Sequence, residues 1–174
     1  IIICKRIMKK VLKTFDKAMN DIGKRLVKGF RGELEDQNSI ATGKLFFSLK
    51  ENIQYNVDEA SMIITTDADY VDIVNNGMKS GTFPNLTAIK KWMDAKGIDY
   101  SDENEKEAIA FNIAKRIAIE GLPTKGGIQK SKNGRKTNFI GIVAEAYRRT
   151  NDNSIHKAIG QDIDNIFKKL PKQI

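Results

Sequence analysis

Cysteine is nearly absent from this sequence: Cys4 stands alone, so no internal disulfide and no all-cysteine metal site can form, and a reducing place of synthesis is expected. Histidine is equally scarce. His156 lies in a charged stretch near the C-terminus with no second histidine or cysteine close by, which argues for a solvated side chain over a zinc ligand or general base. No apolar run approaches the ~18–20 residues needed to span a bilayer, so no membrane segment is expected and the chain should be soluble. The opening Ile1-Ile2-Ile3-Cys4 puts apolar residues before charged ones, the reverse of a secretory signal, and Met8 offers a second reading of the N-terminus. Aromatic residues are few and not interleaved with basic ones, as single-strand nucleic-acid binders require. A phosphate cradle is also missing. A P-loop needs four residues between its glycines and a Lys-Ser/Thr after the second, whereas six separate Gly127 from Gly134 and Arg135 follows.

What is present is length, charge and period. The 174 residues suffice for one domain that buries a core without disulfides or metal. The net charge is +8, and it is unevenly placed: through Arg31 ten basic residues face only Asp16 and Asp21, a local excess that equals the whole. A second basic concentration, Lys125, Lys130, Lys132, Arg135 and Lys136, falls in a stretch with no acid between Glu120 and Glu145. Both could meet phosphate or an acidic surface.

Ile7, Val11, Phe15, Met19, Ile22, Leu26 and Phe30 recur at three- and four-residue steps, predicting a long basic N-terminal helix over 1–32 that stops near Gly29 and Gly32. After an acidic connector, Ser39 or Thr42 can cap a short helix through Leu49. Ile53, Tyr55 and Val57 alternate with polar residues, and Met62 to Thr65 makes an antiparallel partner across Asp58-Glu59-Ala60. Asp67 or Asp69 can cap a helix closed by Gly77, a role that fits the spacing of Asp67, Asp69 and Asp72 better than a cation site. Leu86, Ile89, Trp92 and Met93 set a helix stopped by Gly97, with Trp92 expected as a core anchor. Asp102 and Glu105 have capping-box spacing before an alanine-rich helix from Ala108 to Glu120. Residues 122–138 show neither period and read as a flexible basic loop, and Phe139–Arg149 and Ile155–Leu170 as two terminal helices. Ile155, Ile159, Ile163, Ile166 and Leu170 form the apolar stripe of the second. The fold class expected is α+β: a single domain with a long N-terminal helix, a small antiparallel hairpin packed with several helices, and a helical C-terminus.

One ordered series ties the middle together: Thr42-Gly43-Lys44-Leu45 with Ser48-Leu49, then Tyr70, Gly77, Pro84 with Ile89 and Trp92, and Lys96-Gly97-Ile98. Its order and spacing over 39–121 resemble the head-to-tail joining, or tail completion, proteins of tailed bacteriophages. Val71, Asn75 and Met78 depart from the residues most frequent in that family. The resemblance implies a structural virion protein of the neck, made in the host bacterial cytoplasm; the residue inventory itself offers no catalytic constellation, and no cofactor or metal is expected. It implies a homo-oligomeric ring joining portal or connector to tail proteins, with genomic DNA passing its channel without sequence recognition. In such a ring the hairpin, the Gly77–Pro84 loop and the loop after Gly121 are the expected contacts. The residues concerned are Tyr55, Ile63, Gly77, Met78, Phe83, Lys125, Lys130, Lys132, Arg135 and Lys136. The alternative is a basic nucleic-acid-binding accessory protein, in which Lys9, Lys10, Lys13 and Lys17 contact phosphates or another acidic surface.

Overall fold

The computed structural model describes residues 11–56 and 59–169. In chain order these form α1 (Lys13–Asp36), α2 (Lys44–Ser48), β1 (Lys50–Tyr55), β2 (Ala60–Thr65), α3 (Val71–Asn76), α4 (Leu86–Lys96), α5 (Glu103–Glu120), α6 (Lys125–Ile128) and α7 (Phe139–Phe167). The class is α+β, with a two-stranded antiparallel hairpin among helices. The chain divides into two compact units, each discontinuous in sequence. A hairpin unit takes the residues up to Phe30, Leu49–Thr65 and those from Gly141 on, and a helical unit takes Arg31–Ser48 and Thr66–Ile140.

In the hairpin unit, α1 buries Met19, Ile22, Val27 and Phe30, so the expected apolar face is present although Val27 lies deeper than Leu26 and Val11 is exposed. Ile7, like Lys9 and Lys10, lies outside the described residues. The helix does not stop at Gly29 and Gly32 but runs to Asp36. At Gly29 the reason is size: a Cβ there would lie 2.6 Å from Val143 Cγ1 and 2.9 Å from the Tyr147 ring, so this glycine lets α7 approach. Gly23 does the same for the hairpin, where a Cβ would lie 2.9 Å from that of Glu51 and 3.2 Å from Met62 Sδ. An isolated hairpin is marginal in water, and packing on α1 supplies what the two strands lack. The register pairs Tyr55 with Ala60 and Ile53 with Met62.

The two expected terminal helices are one, Phe139–Phe167. Between Arg149 and Ile155 there is no glycine or proline, and the weak helix formers there are held by contacts. Ser154 Oγ donates back to the Thr150 carbonyl at 2.8 Å, and Arg25 Nη1 donates to Asn151 Oδ1 at 3.1 Å. The expected isoleucine stripe also turns outward. Ile159, Ile163 and Ile166 are exposed, whereas Ala158 and Asp162 are buried, and Leu170 lies outside the described residues. Asp162 is drawn inward by the free end of α1, accepting bonds from Thr14 N (3.1 Å) and Phe15 N (2.8 Å). Four residues earlier on the same face, Ala158 is small enough to follow it.

The helical unit is built on α4 against α5, whose buried residues are Ile89, Met93, Ala110, Ala114 and Ile117. The two alanines permit close helix approach, as the composition of this stretch suggests. Asn85 caps α4, its Oδ1 accepting from Thr87 N (2.8 Å) and Ala88 N (3.3 Å). The helix closes with Gly97 N–H on Asp94 O and Ile98 N–H on Met93 O, a Schellman pattern that returns Ile98 to the core. On α5 the capping box forms nearly as expected: Asp102 Oδ1 accepts from Glu105 N (2.8 Å), while Glu105 accepts from Ser101 N, one residue earlier than the usual partner. Two expectations fail here. Met93 is fully buried, but its neighbour Trp92 is 42% exposed, because the α4 face turned to α5 is filled by Ile89 and Met93 four residues apart. Neither Asp67 nor Asp69 caps α3; Tyr70 occupies that position without a side-chain bond, and Asp69 instead pairs with Lys44 at 3.6 Å.

Candidate functional site

The helical unit gathers most of the resemblance series. Tyr70 Oη accepts from Leu45 N at 3.2 Å and lies 3.5 Å from Thr42 Oγ1, so the Thr-Gly-Lys-Leu helix start is seated on the tyrosine. Ser48 Oγ pairs with Thr66 Oγ1 at 2.6 Å, closing the same corner. Further along, Gly77 and Met78 are used internally. Met78 and Leu122 exchange both backbone bonds, at 3.0 and 2.8 Å, and Gly81 N donates to Ala118 O at 2.7 Å. Gly77 (φ 75°, ψ −165°) and Gly121 (φ 81°, ψ −174°) flank this crossing in a region open only to glycine. A Cβ on the first would fall 2.1 Å from Leu122 O and on the second 2.5 Å from Met78 O.

Beyond the crossing, Phe83 comes to the surface. It is 50% exposed and packs against Phe111 of α5, also 50% exposed, with ring centroids 5.8 Å apart. Ile119, two turns further along α5, is exposed as well.

A second construction lies where α1 ends. Asn38 adopts the left-handed conformation (φ 49°), and its N–H reaches Glu35 O while Ser39 N–H reaches Leu34 O, again a Schellman closure. This turns the carbonyl and side chain of Asn38 outward, and lysines from distant segments meet them. Lys136 Nζ donates to Asn38 O at 2.9 Å, Lys96 Nζ donates to Asn38 Oδ1 at 3.1 Å, and Asn38 Nδ2 donates to Lys130 O at 3.3 Å. Lys132 N donates to Asp36 O at 2.8 Å, taking one of the helix's last carbonyls. The result is an open recess of about 420 Å³ lined by Glu35, Asn38, Ile40, Lys130 and Lys132. Burial, followed by the charge of Lys130, pushes the Lys96 ammonium below the usual lysine value; burial, then Lys96 and Lys130, does the same to Lys136.

The stretch expected as a loose loop therefore has fixed attachments. Besides those bonds, Asn133 Nδ2 donates to Glu33 Oε1 at 2.9 Å, buried Gln37 donates to Thr137 O at 3.0 Å, and α6 is capped by Thr124 accepting from Gly127 N. Of the basic residues singled out in the sequence, Lys130, Lys132 and Lys136 come together. Lys125 and Arg135 do not join them, remaining exposed with their backbone N–H groups bonded to Glu120 and Asn133. Lys96 and Asn38 join this cluster although neither belongs to a basic run in the sequence. The available signal was an asparagine beyond a helical period, where a left-handed cap is common.

In the hairpin unit, Tyr55 is buried and donates its hydroxyl to Asp16 Oδ1. Burial first, then this carboxylate, raises its phenol well above the usual value. Ile63 on β2 is exposed. Lys13, Lys17, Lys24 and Lys28 all point to solvent from α1 at spacings of four, seven and four, which confines them to one arc of the helix about 22 Å long. Among the described residues no cluster of three or more His, Cys, Asp or Glu side chains could hold a metal ion, and no helix is long and apolar enough to cross a membrane. No family model, curated protein or solved structure matches the chain.

Proposed function

We propose that this chain is a structural subunit of a bacteriophage neck, assembling with copies of itself into a ring that joins portal or connector to tail. The sequence resemblance supplies the role. The observation that carries it is the coherence of the series within one compact unit: Thr42, Leu45 and Tyr70 form one hydrogen-bonded corner, Met78 beside Gly77 exchanges both backbone bonds with Leu122, and the loop between Gly77 and Asn85 ends in the exposed Phe83–Phe111 pair. Aromatic side chains exposed together on a surface are the kind of anchor that subunit interfaces bury. A ring needs a heterologous contact, one face of a subunit against a different face of the next, and modest contacts repeated around a closed circle give a stable assembly. The work of such a protein is geometric. It calls for no catalytic group, metal or cofactor.

Imaging of the purified chain, with mass measurement in solution across a concentration series, tests the reading. Rings are expected, and Phe83→Ser with Phe111→Ser should leave a folded monomer. A chain that stays monomeric at every concentration and associates with neither portal nor tail proteins refutes the proposal.

The row Lys13, Lys17, Lys24 and Lys28 favours a second reading, an accessory protein that follows a nucleic-acid backbone. Phosphate contacts release counterions, so duplex affinity should then fall steeply between low and physiological salt. Absence of duplex binding at low salt removes this reading.

A further inference from the structure

We infer that the recess at the end of α1 is a phosphate-binding site, with Lys130 and Lys132 of its lining, and Lys96 and Lys136 held beside it on Asn38, binding one oxyanion. The inference is independent of ring assembly, because every group belongs to the helical unit of a single chain.

A simpler role for these lysines is to satisfy the C-terminal end of α1. That accounts for part of the arrangement only. A helix C-terminus carries the equivalent of about half a negative charge, whereas two lysines line the recess and two more bond Asn38 beside it. Two of them bond a single residue, Lys96 to the Asn38 side chain and Lys136 to its carbonyl, which holds both ammonium groups close together. Among the described residues none of the four lysines pairs with a carboxylate, although Glu35 lines the same recess. Elsewhere on this unit, lysines do find acids: Lys106 lies 2.8 Å from Asp94 and Lys90 lies 3.1 Å from Glu107. Glu33, Glu35 and Asp36 lie on the last turn of α1, yet none forms an ion pair with these lysines, and the partial burial of Lys96 and Lys136 beside like charges is unfavourable. A bound anion relieves both penalties.

The donors decide which anion. The charged donors lining the recess are lysine ammonium groups, with no arginine among them. Ammonium groups act as point charges arriving from several directions, which suits a tetrahedral phosphate group. The open volume is in the range of small-ligand sites. It accommodates either a phosphomonoester or one phosphate of a nucleic-acid backbone.

The test is titration of the full chain with inorganic phosphate, followed by amide chemical shifts, in parallel with fluorescence anisotropy on a short duplex DNA. Saturable binding of phosphate is expected, with shifts centred on Asn38 and residues 130–136. Lys96→Gln and Lys136→Gln should each weaken it about tenfold, since each removes one charge-assisted bond. Lys91→Gln, an exposed lysine on the same helix, should leave it unchanged. Competition by duplex, lost in the same variants, would identify a backbone phosphate; phosphate binding that the duplex does not displace would identify a free phosphate-bearing ligand. The inference is overturned if folded wild-type chain shows no saturable phosphate shifts, or if the two glutamine variants bind phosphate and duplex as the wild type does.

Discussion

Replacing Asp162 probes the polar contact of longest sequence separation among the described residues of the hairpin unit. This carboxylate is 2% exposed, sits far along α7, and accepts the N–H groups of Thr14 and Phe15 at the free start of α1. Each hydrogen bond to a charged acceptor contributes roughly 1.5–3 kcal/mol, but removing the carboxylate also relieves the cost of burying it. Deletion of ordinary helix caps costs at most about 2 kcal/mol, so the expected net loss for Asp162→Ala is about 2 kcal/mol. In a chain of this size that lowers the midpoint by about 4–8 °C. Asp162→Asn keeps one acceptor oxygen without the charge and should lose roughly half as much. Acid supplies the sharper test. Burial raises this carboxyl, but the bonds from Phe15 and Thr14 outweigh it and hold the group below the ordinary aspartate value. A depressed folded value means that the contribution is complete above the unfolded value, about 3.9, and disappears as pH falls through the folded one. Thermal and urea unfolding by circular dichroism at pH 7, 5 and 3 should therefore give a constant difference between wild type and Asp162→Ala at the first two and a smaller one at the third. Equal stability at pH 7, or a gap that does not narrow in acid, would refute the capping argument.

Gly77→Ala combines a conformation reserved for glycine with a Cβ 2.1 Å from Leu122 O, and should destabilise by about 3 kcal/mol or prevent folding, read from expression and urea midpoint. Met93→Ala empties a fully buried position and should cost about 2–5 kcal/mol, whereas Trp92→Ala, one residue away, should stay within about 1 kcal/mol by the same assay. Tyr70→Phe strands the Leu45 N–H and should cost about 1 kcal/mol, with faster amide exchange confined to residues 43–47 as its signature.

The sequence made legible those elements whose causes are local. The hairpin follows from alternation and a turn, α5 from Asp102 and Glu105 at fixed spacing, and the end of α4 from Gly97. What it concealed depends on partners distant in the chain. Gly29 reads as a helix stop until Tyr147 and Val143 are placed against it; the same residue then becomes the gap that lets α7 pack. Trp92 reads as a core residue by type, yet α4 offers α5 a face only wide enough for Ile89 and Met93. Asp162 looks like a solvated charge on a polar helix, and only the unpaired N–H groups of α1 explain its burial.

The lysine recess shows the same division at the level of a site. Its positive charge was visible as a run of lysines without acids, but a run fixes composition, not convergence. Convergence comes from Asn38, whose left-handed conformation ends α1 and exposes two acceptor oxygens in one place. Lys96 arrives from the last turn of α4, and Lys136 from a segment with no helical or strand period. Neither the asparagine nor either lysine signals a site alone. Replacing Asn38 with Gly would keep the backbone turn and the carbonyl that Lys136 uses while deleting the Oδ1 that holds Lys96. The helix end should therefore survive while the cluster loosens, so phosphate affinity should fall with little change in unfolding midpoint. A parallel loss of stability would instead make the lysines fastenings of the fold.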